Sequence, residues 1–141
     1  MGSVRVHMKA VFVQPNKIAR VWPLVEPWVK AALMRASDLS PDQVREHLER
    51  GTMQLWLAWG QKRAFGICIT ELVESVRGLC CNIVAIAGEK FDTWAHLEQD
   101  VQTWATEWGC VRMSLIGRKG WVRKLAKSGW RQRSVVMEKV I

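Results

Sequence analysis

Three residue types in this chain could carry chemistry, and their spacing narrows what each can do. Four cysteines stand at 68, 80, 81 and 110. None belongs to a Cys-x-x-Cys pair and no Cys/His spacing suits zinc, so a metal site is not expected. They read as small buried hydrophobes of a reducing compartment, with Cys80 and Cys81 on opposite faces of one strand. His7, His47 and His96 are scattered without partner spacing and read as surface or rim residues. No Walker-type loop and no Ser/His/Asp order is present. The cations carry more information. Residues 1–110 hold 12 Lys/Arg and 12 Asp/Glu, whereas residues 111–141 hold 9 Lys/Arg and a single acid, Glu138. The whole net charge of +8 therefore sits in the last 31 residues. Such a patch attracts phosphate, either of nucleic acid or of a nucleotide-bearing cofactor; a solvated basic face is the plain alternative. The candidate contacts are Arg118, Lys119, Arg123, Lys124, Lys127 and Arg131. On a helix starting at Trp121, residues 123, 124 and 127 share one face, opposite Val122, Leu125 and Ala126. Trp121 and Trp130 stand close enough in sequence to add stacking to phosphate contact.

The elements that must position these residues follow from patterning. With 141 residues, 49% hydrophobic and 24% charged, the chain has the composition of one soluble globular domain spanning 1–141. No apolar run is long enough to span a membrane. The start, Met1–Arg5, has neither an apolar core nor a cleavage pattern, which argues against secretion. Nine Trp and no Tyr is unusual, and the rings are expected to fill the core or anchor a partner. Residues 4–10 alternate with period two and predict a strand. Ile18 to Leu33 carries helical periodicity, with Pro23 and Pro27 predicting a kink or a late start. Ser40-Pro41-Asp42-Gln43 is a capping-box start for a short helix that Gly51 ends. Strands are expected at 53–59, 64–73 and 78–87, joined by turns at 60–63 and 74–77. Trp94, Leu97, Val101, Trp104 and Trp108 form one stripe of a long helix, with Asp92 as its N-cap and Gly109 at its end. Residues 111–116 read as a strand, then a short helix ends at Gly129, and 131–141 reads as a closing strand.

The resulting order, β-α-α-β-β-β-α-β-α-β, defines an α/β fold with a central mixed sheet and helices on both faces. It resembles the GNAT (Gcn5-related N-acetyltransferase) fold. The final third adds Arg118-Lys119-Gly120-Trp121, Leu125 and then Gly129-Trp130, which is similar to the Gly-Phe pair that ends the last GNAT helix. More narrowly, the chain resembles small GNAT-like proteins of tailed phages and prophages, in which a Gly-Arg-x-Gly-Trp segment and a terminal Met-Glu-Lys-like strand recur.

The resemblance implies that acetyl-CoA, if bound, would place its pyrophosphate on Ala87, Gly88, Glu89, Lys90, Phe91, Asp92 and Thr93. The family signature there, Arg/Gln-x-x-Gly-x-Gly/Ala, is reduced to one glycine and one lysine, and Glu89 and Asp92 would repel phosphate. The family's acid is a Tyr four residues before the Gly-aromatic pair; here that position is Leu125, with Ser128 and Cys110 as remote substitutes. Glu71 and Glu74 are the candidate general bases, and Asn82 stands where some members carry a carboxylate. The departures favour a GNAT-fold protein that has lost acetyl transfer and bound no cofactor. Its expected role is a structural or assembly component: made in the host cytoplasm, associated with a virion, and contacting phage proteins and DNA. The alternatives are an acetyl-CoA-dependent N-acetyltransferase with a degenerate loop, and a nucleic-acid-contacting protein acting through the basic C-terminal third.

Overall fold

A computed structural model describes residues 7–36, 38–117 and 119–141 of the chain. The elements are β1 (Lys9–Val13), α1 (Ile18–Ala36), α2 (Pro41–Arg50), β2 (Gln54–Gly60), β3 (Arg63–Ser75) and β4 (Gly78–Gly88). Then come α3 (Phe91–Trp94), α4 (Glu98–Glu107), β5 (Cys110–Leu115) and α5 (Lys119–Leu125). The five strands form one sheet in the order β1-β2-β3-β4-β5, antiparallel except for the parallel pair β4–β5. This is the mixed α/β sheet that the patterning predicts.

Local chemistry explains the elements that match expectation. Gln43 N–H donates to Ser40 Oγ and Ser40 N–H donates to Gln43 Oε1, closing the capping box of α2. Gly51 ends that helix at φ +79°, a left-handed position that glycine takes without a Cβ penalty. The β2–β3 turn is tight, with Gln61 and Lys62 at φ 48° and 63°, the pair of positive angles that a two-residue hairpin requires. Pro23 and Pro27 do not interrupt α1. Both are exposed, so the carbonyls they leave unbonded face water, and the opposite side buries Trp22, Val25, Val29 and Leu33.

Three expectations are corrected. The first strand lies at 9–13, later than the 4–10 expected; residues 4–6 fall outside the described residues. The long helix is broken: α3 is a single turn, a 3-10 turn follows at Ala95–Leu97, and α4 starts only at Glu98. Trp94 causes the break. Its indole N–H donates to the Glu89 carbonyl, while its backbone (φ −129°) leaves the helical region. The N-cap is Lys90, left-handed at φ 52°, and Asp92 lies inside the first turn without capping it. Trp108, expected in the buried stripe, is 63% exposed. Finally, 131–141 forms no strand and is exposed throughout. Ser134-Val135-Val136-Met137 does not keep the alternation that would give a strand one buried face.

The core has two layers. On one face of the sheet α1 and α2 pack Ile18, Val25, Val29 and Leu48 against Leu55, Ile67 and Ile69. On the other, α4 sets Val101 and Ala105 against Trp56 and Cys81, while Trp94 and Leu97 pack on Phe65. A Cβ on Gly66 would meet Trp94 at 2.5 Å and the Ala87 carbonyl at 2.7 Å, so only glycine lets α3 sit this close to the β3–β4 pair. Gly66→Ala should therefore cost about 1–3 kcal/mol by overpacking. Gly109→Ala, where a Cβ has open space but φ is +92°, should cost about 1 kcal/mol. Urea unfolding of the two variants checks both the values and their order.

Candidate active site

The site begins where two strands part. β4 and β5 pair from Leu79↔Cys110 up to Ile83↔Leu115, but β4 continues to Gly88 while the chain after Leu115 turns through Gly117 into α5. At the same level β4 carries a bulge. Thr70 of β3 opposes Ile83 and Ile69 opposes Ala85, which leaves Val84 as the extra residue without a ladder partner on either side. The bulge also switches faces: Cys81 packs under α4, whereas Ala85 packs under α1.

On the α4–α5 side of this gap lies an apolar cavity of about 50 Å³. Ile83 and Ile86 of β4, Met113 of β5, Leu125 and Trp130 line it, with Glu98 as its only charged wall. That volume holds roughly four waters or a short acyl group. Trp130 Nε1 donates to Glu98 Oε1 at 2.8 Å and ties the segment after α5 to the start of α4. On the α1–α2 side, a chain of hydrogen bonds crosses three strands just below the gap. Asn82 Nδ2 donates to Glu71 Oε1 at 3.0 Å, and Ser114 Oγ donates to Asn82 Oδ1 at 3.1 Å. Because the Ser114 proton is thus used, the thiol of Cys80, 3.3 Å away, donates to Ser114 Oγ. Arg112, on the same face of β5, has a buried Nε with no hydrogen-bond partner.

The loop from β4 to α3 is built differently from its sequence expectation. Gly88 serves packing: a Cβ there would meet Gly66 Cα and the Phe65 carbonyl at 2.4 Å. Glu89 is engaged away from the gap, since Arg63 Nη1 donates to its carboxylate at 2.9 Å and its own N–H donates to the Phe65 carbonyl. That ion pair holds the Glu89 carboxyl below its ordinary pKa, chiefly through the Arg63 hydrogen bond. The exposed pair offsets part of the repulsion of phosphate expected of Glu89, while Asp92 stays exposed in the first turn of α3. Thr93 N–H is committed to the Lys90 carbonyl. Phe91 meets Trp121 of α5 edge-to-face at 4.9 Å, and Lys124 Nζ lies 5.3 Å above the Phe91 ring, so α3 and α5 touch across the mouth. Lys90 and Lys124 bring positive charge there.

Of the sequence-predicted residues, the structure brings Lys90, Phe91 and Lys124 to the mouth and Glu71 to the hydrogen-bonded chain, while Ala87 packs half-buried against the core on the α1 side. Glu74 stands apart, exposed beside the β3–β4 turn. Arg118 falls outside the described residues, and of Lys119 only the backbone is described. Arg123, Lys127 and Arg131 are exposed. Ser128 is exposed at the end of the turn after α5, and Cys110 begins β5 at the far end from the gap. Residue reasoning missed Val84, Glu98, Ser114 and Cys80. Only the register across strands groups them. The cysteines are unpaired, with Cys80 and Cys81 buried. Among the described residues, no group of three His, Cys, Asp or Glu could hold a metal ion.

An acyl-CoA cofactor fits part of this arrangement. The cavity has the size and apolarity for a short acyl group, and Trp121 packs directly on Gly117, where a Cβ would meet its ring at 2.6 Å. Lys90 and Lys124 would face the phosphates.

Comparisons with known proteins address the fold. No family model matches the chain, and no curated protein matches its sequence. Solved structures do. An aminoglycoside acetyltransferase from an uncultured soil metagenomic sample, in complex with sisomicin, is 12% identical, with a TM-score of 0.70 over 95% of this chain and 96% of that one. A ribosomal-protein-alanine N-acetyltransferase from Brucella melitensis biovar Abortus 2308 is 15% identical, with a TM-score of 0.67 over 96% and 98%. An aminoglycoside N-acetyltransferase in complex with CoA is 14% identical, with a TM-score of 0.66 over 99% of both chains. The chain thus has the fold of the GNAT acetyltransferases.

Burial makes the thiols of Cys68 and Cys81 inert. It pushes Cys68 up to about 12, and with the neighbouring Cys110 and Cys80 it pushes Cys81 up to about 12 as well. Both should resist a thiol reagent at pH 8 in the native protein and react once it is denatured. Between pH 9 and 12 the native state keeps protons that the unfolded state loses. Stability should therefore fall as pH rises through that window, which urea midpoints at pH 8 and 10.5 would show.

Proposed function

We propose that this chain is an acyl-CoA-dependent N-acyltransferase of the GNAT fold, with acetyl-CoA as donor and a primary amine as acceptor. The observation that carries the reading is the bulge at Val84. It leaves this residue without a ladder partner on either side where β4 and β5 part, with an apolar cavity on one face of the gap and a carboxylate on the other. Reactants bound on opposite faces of a sheet can meet only at such a gap.

When bound, acetyl-CoA supplies an activated thioester. The chain's own residues do the rest. The apolar walls Ile83, Ile86 and Met113 exclude water from the acyl group, which limits hydrolysis. The Val84 N–H is the donor for the carbonyl oxygen as negative charge develops on it, and a fixed dipole in a dry site is worth far more than in water. On the α1–α2 side, Glu71 is the base. Asn82 occupies one carboxylate oxygen and so orients the other for the acceptor ammonium. Asn82 cannot itself relay a proton, so Ser114 and Cys80 brace the carboxylate rather than extend a proton wire. With no Tyr in the chain, the departing thiolate takes its proton from the amine or from water.

A second reading has its own observation. The Phe91–Trp121 contact bridges the mouth, and α3 is a single turn, which suits a chain that keeps the fold as an interaction or assembly component, including one carried in a phage particle.

Calorimetric titration separates the two. The acyltransferase reading expects micromolar acetyl-CoA binding, and CoA release when an amine panel is added; heats absent at millimolar cofactor would favour the second. Val84→Pro, tolerated at a bulge but without the N–H, should lower kcat by about 10²–10³ while cofactor affinity persists. Glu71→Gln should lower kcat by about 10²–10⁴ at neutral pH, with part of the loss recovered as pH rises and the acceptor amine arrives already unprotonated.

A further inference from the structure

We infer that the outer face of α5 and the segment after it form a nucleic-acid-binding surface, separate from the cofactor mouth. The surface consists of Arg123, Lys127, Arg131 and Arg133. All four are exposed. Arg123 and Lys127 are four residues apart, on one side of α5 and the turn that follows it, while Arg131 and Arg133 stand in the irregular segment just beyond Trp130.

The distribution of charge argues that these four have a partner: residues 1–110 balance 12 Lys/Arg against 12 Asp/Glu, whereas residues 111–141 set 9 Lys/Arg against one acid. Among the described residues, ion pairs join Glu26 to Lys30, Arg45 to Glu49, Glu46 to Arg50, and Arg63 to Glu89. Every one lies within the first 89 residues. Arg123, Lys127, Arg131 and Arg133 form none, nor do Lys9, Lys17, Arg20 and Arg77, but only the first four lie in a stretch, residues 111–141, whose single acid is Glu138. Like charges held this close on a helix and its continuation destabilise the fold. A polyanion removes that cost, and its binding is driven by release of the counterions it had condensed. Lys124 is left out of the surface because it turns inward over Phe91 and Trp121.

The surface stands independently of the acyltransferase reading, and the experiment keeps them apart. Fluorescence anisotropy of a labelled 20-mer DNA, single-stranded and duplex, is measured with the full chain from 25 to 200 mM salt, with and without 1 mM CoA. Four phosphate contacts predict a log–log slope near −3.6 for duplex and near −2.8 for single strands, at about −0.9 and −0.7 per contact. CoA should leave the affinity unchanged. The variant Arg123→Gln/Lys127→Gln/Arg131→Gln/Arg133→Gln should bind at least about tenfold more weakly while its circular dichroism is retained. The control Lys9→Gln/Lys17→Gln/Arg20→Gln/Arg77→Gln lowers net charge equally and should retain at least half the affinity. Three results would each overturn the proposal: no binding at 25 mM salt, equal losses in the two variants, or displacement of the DNA by polyglutamate at equal charge concentration, which marks an acidic-protein surface instead. Displacement by CoA would assign the cations to the cofactor and likewise overturn it.

Discussion

β4 and β5 stop sharing hydrogen bonds after Ile83 and Leu115, and the candidate site depends on that separation. A closed sheet would bury the backbone of Val84 in a ladder and wall the two faces off from each other. Two features hold the strands apart. The bulge in β4 takes its backbone out of register with β3, and the turn at Gly117 carries the chain away into α5, where Trp121 packs over the glycine. Neither feature is stabilising in itself. Each forgoes ladder hydrogen bonds that a regular strand would make, and the packing of Trp94 and Leu97 on Phe65 and of Val101 on Cys81 offsets the loss on the same face.

The two faces of the gap have opposite chemistry. Under α4 and α5 the walls are apolar, and burial holds the nearby thiols protonated well above neutrality. Under α1 and α2 the sheet ends in a polar chain from Glu71 to Cys80. A donor that must be kept dry and an acceptor that must lose a proton want those two environments. At the mouth Arg63 pairs with the Glu89 carboxylate on the β2–β3 turn side, and Lys90 and Lys124 stand beside α3 and α5 together with the exposed Asp92 of α3.

What the sequence made legible was local. The capping box at Ser40 and Gln43 and the tight turn at Gln61-Lys62 each involve residues within a few positions of one another. The three antiparallel strands they frame came out within two residues. The final strand and the continuous long helix did not follow, because tertiary contacts decide them. Trp94 breaks its helix to reach the Glu89 carbonyl, and 131–141 lacks a face to bury. The site was least legible of all. Glu71 could be named as a base from its strand, but Asn82 joins it across 11 residues of the β3–β4 hairpin, and Ser114 and Cys80 follow only through a β4–β5 register spanning 32 to 34 residues. The Val84 bulge sits inside the uniform apolar run Ile83–Ile86 with no signal of its own. The Arg63–Glu89 pair, which reverses the meaning of an acid at the mouth, joins residues 26 apart.

The most direct test is to follow the backbone amide of Val84 by ¹⁵N–¹H NMR as acetyl-CoA is added to the protein. The account predicts that the Val84 resonance moves with the largest or near-largest shift and that its hydrogen exchange slows, together with changes along Ala85–Lys90 and Ile116–Leu125, while the β3–β4 turn at Val76-Arg77 stays fixed. Saturating cofactor that leaves Val84 unmoved would contradict the account, because the open backbone at the gap would then have no part in binding the acyl group.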